Sequence, residues 1–551
     1  MAIRFGVLCT KTDWPRWQLT CIEKLLALDA VKLELIILAN TELSGRRFKR
    51  NARILLNSYA SAVSRLPFLK LVEAETHLSE VAKLNCDVSI DSQGCYSFDD
   101  VSLNAIRQYR LDFILNFSGH EIADNMANIS RYGNWYFNYD RCFYGGKTIP
   151  FFWEIFRGDV VTRVTLEKQT LSPGSAMVLK EGVFRTINYS YSRNLEKCLA
   201  ESVNWPAQLC ASALDEIVDH TIISKPSNIK GNRIPDDIQM VRFTAMIIVR
   251  ALCFVFQSLF RHEKWNIGIV RQPIAAFIKP GLLQECKIEW LPELKMNKYV
   301  ADPFAIEKAG KTTILCEQYD YSSRGIISYI SVPSGGHDCE LHPAISDLPF
   351  HMSYPYIIEY GGELYCVPET HQAVEASLYR AVVFPAKWEK AVTLIKDVSA
   401  VDSTVFKYKG LWWLFCTDEN RGAHLNLFVW YSSDLFGEWR PHSGNPVKTD
   451  VRSSRPGGTP FIHEGQLYRP SQDCSTTYGA RIVLNKVTLL NPTEFKEEPV
   501  CYVEPDRKGP FPVGLHTLSA AGDFTLIDGK RWTFSPAASW VFLRRVISRN
   551  W

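Results

Sequence analysis

The chain has 551 residues, too many for one ordinary core, which argues for two or three domains. Its 62 Lys and Arg nearly balance 59 Asp and Glu, so a formal charge of +3 supplies no field for nucleic acid or an anionic surface. The 15 cysteines are odd in number, dispersed, and without a CxxC pair or metal-ligand spacing, which excludes a disulfide framework and a zinc site and reads as reduced thiols.

Ile3–Cys9 reads as a first strand, because its apolar run is too short for a signal peptide, and a cytoplasmic location is expected. A helix over Trp17–Leu28 and a strand over Lys32–Ala39 follow, and Leu111–Phe117 makes a further buried strand. Strands alternating with helices imply a mainly parallel, wound sheet. No GxGxxG follows the first strand, so nothing supports a dinucleotide.

From 111 to 186 the order of motifs carries a resemblance. Gly-Asn-Trp-Tyr-Phe-Asn at 133–138, the helix-like 150–159, Thr-Arg-Val-Thr-Leu at 162–166 and Ser-Pro-Gly at 172–174 follow the arrangement of formyltransferase catalytic domains. The resemblance implies a Rossmann-like α/β domain over residues 1–190. It also places the family's Asn, His and Asp on Tyr136, Asn138 and Ser172. Asparagine does not relay a proton near neutral pH and serine supplies no orienting charge, so formyl transfer is not expected. A binding or docking domain is expected instead, with Asp140, Arg141 and Glu154 clustered at the same edge.

Residues 191–261 read as a helical connector. Its apolar segment Met240–Phe260 is interrupted by Arg242 and Arg250, so no run of about 18 uncharged apolar residues exists. With Gln257 and Arg261, these fall within one arc of the helix. A helix packed between two domains is expected, and the alternative is an interfacial helix suited to a lipid-linked substrate.

From residue 262 to 551 a motif recurs at roughly fifty-residue intervals, each copy joining a polar residue to an apolar strand. The copies centre on Asp302, Tyr354, Asp402, Arg455 and His516. Second strands end in polar clusters at Gln318, Thr370, Asp418 and Asp473, and turn signals at 360–363, 408–410 and 463–465 supply the hairpins. Five copies predict a five-bladed β-propeller whose first strands line a channel, so the five residues converge on one axis. The strand at 265–271 is expected to close the ring with the last blade.

The phrases Tyr-Val-Ala-Asp-Pro-Phe, His-Met-Ser-Tyr-Pro-Tyr-Ile, Cys-Val-Pro-Glu-Thr, Ser-Arg-Pro-Gly-Gly and Arg-Pro-Ser-Gln-Asp-Cys resemble the propeller found N-terminal to the transferase domain in plant glucosamine inositolphosphorylceramide transferases. More remotely, the propeller is similar to five-bladed glycoside hydrolases of the arabinanase and xylosidase type, which resemble family 43. That likeness implies catalytic acids at Asp302, Glu369 and Asp402, although Glu369 precedes Asp402, which is not the hydrolase order.

A channel holding Asp302, Glu317, Glu369, Asp402 and Asp473 sets an acid beside a base, as glycosyl transfer requires. Arg380 and Arg455 balance these charges or grip a phosphate or carboxylate, and His516 shuttles a proton or binds a sugar hydroxyl. The expected substrate-binding set is Glu317, Tyr354, Arg380, Arg455, Asp473 and His516. No cofactor is called for, a nucleotide-sugar being a substrate, and a cation held by several carboxylates is left open. Three readings stand: a glycosyltransferase of polysaccharide, glycan or glycolipid assembly, with a lipid-linked acceptor or a peripheral membrane contact; a glycoside hydrolase or phosphorylase; and a non-catalytic glycan-binding scaffold.

Overall fold

The computed structural model describes residues 2–40, 54–73, 78–90, 95–123, 126, 129–139, 149–170, 176–212, 223–224, 234–295, 297–308, 311–332 and 340–548. The chain divides into two compact units, Met1–Leu252 and Cys253–Trp551, and the division falls inside a helix spanning Asp237–Phe260.

The first unit is built on a nine-stranded sheet. Ile3–Cys9 lies at its centre, parallel to Val31–Asn40 on one side and to Phe113–Asn116 on the other. Ala82–Ile90 and Asn134–Phe137 extend the parallel part outward. The flanks are antiparallel: Tyr96–Phe98 on one edge, and Val161–Gln169, Ala176–Arg185 and Ile223–Ser224 on the other. Four of the eight neighbouring pairs are thus antiparallel, and the expected mainly parallel sheet is corrected to a mixed one. The physical reason is connection length, since the few residues between Val161–Gln169 and Ala176–Arg185 suffice for a hairpin and not for a crossover.

Helix Arg16–Leu26 buries Trp17, Leu19, Cys21, Ile22 and Leu25. Helix Tyr191–Ser202 begins at Ser190, whose hydroxyl accepts from Arg193 N, and buries Leu195, Cys198 and Leu199 within the first unit. Of the positions aligned with formyltransferase residues, Tyr136 is buried in its strand, and Asn138 Oδ1 accepts from Thr165 N at 3.2 Å. Ser172, Asp140 and Arg141 lie outside the described residues.

The Asp237–Phe260 helix departs from the expectation of a packed element. Only Met240 and Phe243 are buried, whereas Ile238, Val241, Ile248, Val249, Leu252, Val255 and Phe256 are exposed. The sequence pattern misleads because apolar residues share the exposed surface with Arg242, while Arg250 is half-buried. Arg250 Nη1 donates to Ile155 O at 2.7 Å, and the Arg242 guanidinium lies over the Phe156 ring. The helix is long and apolar enough to cross a membrane by length and composition.

The second unit contains five antiparallel sheets. The first four follow one another along the chain, starting from the strands Lys298–Lys308, Ser353–Tyr360, Ala400–Tyr408 and Phe461–His463. The fifth joins both ends of the unit: Leu518–Ala521 and Phe524–Thr533 from the end, His262–Val270 and Ile288–Trp290 from the start. His262–Val270 pairs with Phe524–Thr533 over its full length, which closes the ring as the sequence predicts.

Apolar side chains alternate on both faces of each sheet, so each face needs a neighbour. Every adjacent pair of blades accordingly shares a core. Leu315 and Ile327 of the first pack with Leu364 and Cys366 of the second. Tyr356 and Val367 meet Leu414 and Phe428 of the third. Trp413 and Phe415 meet Leu467 and Val487 of the fourth. Ile482 and Leu484 meet Leu518 and Ile527 of the fifth, and Ile267 and Leu526 return to Ile314 and Cys316 of the first. This is a five-bladed propeller.

Candidate active site in the propeller channel

The first strands of blades one, two and three share a local irregularity. Their pairing with the second strand shifts between Ala301 and Phe304, between Ser353 and Tyr356, and between Val401 and Thr404. At each shift stands a non-glycine residue in the left-handed region: Asp302 at φ 51°, Tyr354 at φ 45° and Asp402 at φ 52°. Such a conformation costs roughly 1–3 kcal/mol and persists only where its surroundings over-determine it. A bulge re-aims a side chain and frees a backbone N–H, and a carboxylate takes up each freed N–H. Asp302 N donates to Asp528 Oδ2 at 3.2 Å, Tyr354 N to Asp302 Oδ2 at 3.3 Å, and Asp402 N to Glu369 Oε2 at 3.3 Å.

Blades four and five contribute cations. Arg455 grips Asp402 with two bonds, Nε to Oδ2 at 2.6 Å and Nη2 to Oδ1 at 3.2 Å, and its Nη2 lies 3.8 Å from Glu369 Oε2. Gln472 Nε2 donates to the same Asp402 oxygen at 2.6 Å. His516 sits between two carboxylates, Nε2 3.3 Å from Asp302 Oδ1 and Nδ1 2.7 Å from Asp528 Oδ2. Tyr354 crosses the channel, its hydroxyl 2.9 Å from Thr404 Oγ1 and accepting from Gly458 N at 2.8 Å. Gly458, at φ 131°, leaves no room for a side chain, because a Cβ there would meet Leu518 O at 1.8 Å.

These contacts split the carboxylates. Burial pushes the Glu317 carboxyl well up, and the charges of Asp302, Glu369 and Asp402 push it further. Burial also acts on Glu369, but the His371 hydrogen bond at 2.8 Å and the Arg455 and His351 charges outweigh it and hold that group at about 2. Burial raises Asp302 against the pull of His516, and raises Asp402 against the pull of Arg455. Burial alone would lower His516, and Asp528 with Asp302 raises it instead. Burial and like charges thus push Glu317 toward its neutral form, while His371, His351 and Arg455 push Glu369 toward its ionised form.

Seven of the nine expected residues fall in this network: Asp302, Glu317, Tyr354, Glu369, Asp402, Arg455 and His516. Two do not. Arg380 is exposed on the third strand of blade two, paired across to Glu389, because that strand lies away from the inner edge of its blade. Asp473 is buried but faces its own blade, where Arg481 Nε donates to it at 2.9 Å. Sequence reasoning missed Asp528, which ends the apolar run of the fifth blade's second strand as Glu317 and Glu369 do in theirs, so the same grammar would have found it. It also missed His351 and Gln472, which stand inside the motifs His-Met-Ser-Tyr-Pro-Tyr-Ile and Arg-Pro-Ser-Gln-Asp-Cys, and His371, which follows Cys-Val-Pro-Glu-Thr.

Asp302, His516 and Asp528 each offer one atom within a 4.8 Å cluster, a spacing that a cation could use. The imidazole nitrogens already stand against both carboxylates, and a histidine raised by them balances that charge internally. The trio reads as an ion-paired Asp–His–Asp unit.

Residues 292–511 match the family model described as glucosamine inositolphosphorylceramide transferase 1, N-terminal. The chain is 36% identical over 250 residues to glucosamine inositolphosphorylceramide transferase 1 of Oryza sativa subsp. japonica, covering 43% of this chain and 34% of that protein. It is 33% identical over 252 residues to the protein of the same name from Arabidopsis thaliana, covering 43% and 33%. The chain thus spans about a third of the length of the curated relatives it matches. Among solved structures, a GH130 enzyme from the mannoside phosphorylase family is similar at 13% identity and a TM-score of 0.34, over 45% of this chain and 94% of that one. That likeness is too distant to carry an argument about this protein. Over residues 292–511, the propeller is similar to the N-terminal domain of glucosamine inositolphosphorylceramide transferase 1.

Proposed function

We propose that the protein is a glycosyltransferase of glycan or glycolipid assembly and that the propeller channel is its working site. One observation carries the reading: Glu317 and Glu369 lie in a single buried network that drives their proton affinities apart. In this scheme Glu317 protonates the departing oxygen and, then ionised, takes the proton of the acceptor hydroxyl, while the ionised Glu369 stabilises the positive charge that develops on the sugar. Asp302 and Asp402 hold the sugar, and His516 stabilises charge on Asp302. Arg455, committed to Asp402, orients that carboxylate. The names of the relatives support a sugar donor and a lipid acceptor.

The exposed Asp237–Phe260 helix supports a reaction at a membrane face, and the free state of all thirteen described cysteines supports a cytoplasmic one. A nucleotide-sugar is the donor class that suits such a site.

A second reading has its own observation. Asp302, Asp402 and Tyr354 are 3%, 1% and 0% exposed and already have partners within the protein, Asp302 in Tyr354 N and Asp402 in Arg455 and Gln472, which favours a scaffold that binds glycan without turning it over. Assays with nucleotide-sugars and lipid-linked acceptors separate the two. Transfer by the native chain, lost by a hundredfold or more in Asp302→Asn and Glu369→Gln with the fold intact, is the expected result. Saturable glycan binding with no transfer establishes the scaffold, release of free sugar establishes a hydrolase, and full transfer by both variants removes the channel from the chemistry.

A further inference from the structure

The first unit holds a cavity of about 440 Å³, none of whose lining residues belongs to the propeller channel. Cys9, Thr10 and Lys11 line it where the strand Ile3–Cys9 ends, and Phe117 lines it just past Phe113–Asn116. From Ile3–Cys9 the chain passes to Val31–Asn40 on one side, and it returns to the other side only at Phe113–Asn116. Strand order therefore reverses at this spot, and wound α/β sheets leave a ligand crevice outside the carboxyl ends of their strands at such a switch point.

The helix Arg16–Leu26 starts at the same cavity, with Pro15 and Gln18 in its wall. Its first turn has no acidic residue and no side-chain cap, and Arg16 N is taken up by Lys70 O at 3.0 Å, so it is the positive end of the helix dipole that faces the cavity. Gln18 is 1% exposed, and its Nε2 has no hydrogen-bond partner. A buried amide nitrogen without an acceptor costs about 1–3 kcal/mol, which a bound acceptor would recover. Among the described residues Lys11 forms no ion pair. Asp13 also lines the cavity and disfavours a dianion. Leu56, Val63, Leu69 and Ile149 make much of the remaining wall. Burial holds the Cys9 thiol up at about 12, so it lines the site as a neutral group rather than as a nucleophile.

We propose that this cavity binds a small organic monoanion. Its apolar body lies against Leu56, Val63, Leu69 and Phe117, and its charged group is held by Lys11 and the Gln18 amide at the positive end of the helix dipole. The site is independent of the glycosyl-transfer reading.

The test titrates the full chain with 8-anilinonaphthalene-1-sulfonate, an aromatic monoanion, and with the neutral N-phenyl-1-naphthylamine, reading fluorescence. One sulfonate site per chain is expected. Ala60→Trp, which fills the cavity, abolishes it, and Lys11→Met and Gln18→Leu each weaken it about tenfold. The neutral probe responds to Ala60→Trp alone, and Val249→Asp on the exposed helix changes neither titration at this site. Circular dichroism checks each fold. Lys11 is exposed, so Lys11→Met keeps the test decisive should Gln18→Leu not fold. Sulfonate affinity unchanged in Lys11→Met, or retained in Ala60→Trp, overturns the proposal.

Discussion

At the scale of single residues, the channel is a set of buried charges whose protonation follows from their neighbours. Glu369 has its folded pKa depressed from 4.5 to about 2, so the stability it contributes is present above about 4.5 and is lost as pH falls toward 2. His516 is raised above 6.5, so its contribution is present below 6.5 and is lost as pH rises through its elevated value. Urea unfolding of the native chain and of Glu369→Gln isolates the first term: the gap between their midpoints shrinks as pH drops from about 4.5 toward 2. A gap that stays constant over that interval contradicts the assignment. A separate staple lies in blade four, where Arg469 and Glu497 are both almost fully buried and paired at 2.6 Å. Arg469→Met leaves Glu497 with Lys448 as its remaining cation and is expected to cost about 3–5 kcal/mol in a denaturant titration.

At the scale of elements, the bulged first strands and the Asp237–Phe260 helix depart most from their sequence patterns. The bulges re-aim Asp302, Tyr354 and Asp402 at a regular hairpin edge, and the backbone N–H of each is held by a carboxylate from another blade. The helix turns its arginines to hydrogen-bond and stack on Ile155 and Phe156, leaving an apolar face outward. Flotation with phosphatidylcholine vesicles tests this face. The native chain is expected to float, and a Val249→Asp, Val255→Asp pair is expected to reduce the floated fraction at least tenfold, because each buried Val side chain is worth about 1.5–3 kcal/mol. Equal flotation of both chains removes the helix from membrane contact.

At the scale of the whole molecule, the propeller depends on one closure. The strand His262–Val270 completes the fifth blade, and its loss exposes the edge of Phe524–Thr533 and opens the shared cores on both sides. Deleting residues 262–270 is expected to abolish the cooperative thermal transition of the second unit in calorimetry, whereas an insertion at the 408–410 turn leaves it within a few degrees. A preserved transition in the deletion shows that the ring holds without its closing strand.

Much of this was legible in the chain itself. The fifty-residue period, the turn signals and the polar clusters that close four of the second strands are local features, so they announced five blades and placed Asp302, Glu369, Asp402 and Arg455 in one channel. Local pattern also misplaced Arg380, because spacing along a strand does not tell an inner strand from an outer one. It missed Asp528, although that residue closes the apolar run of its strand and meets His516 within the same blade, 12 residues away. Register shifts, left-handed residues and pairings between blades depend on contacts across the ring, as with the 226 residues that separate Asp302 from Asp528. Sequence determined the blades and the residue types at their inner edge. Tertiary structure alone decided which carboxylate its neighbours push toward the neutral form and which side of the long helix meets solvent, because both depend on the field and packing of residues distant in the chain.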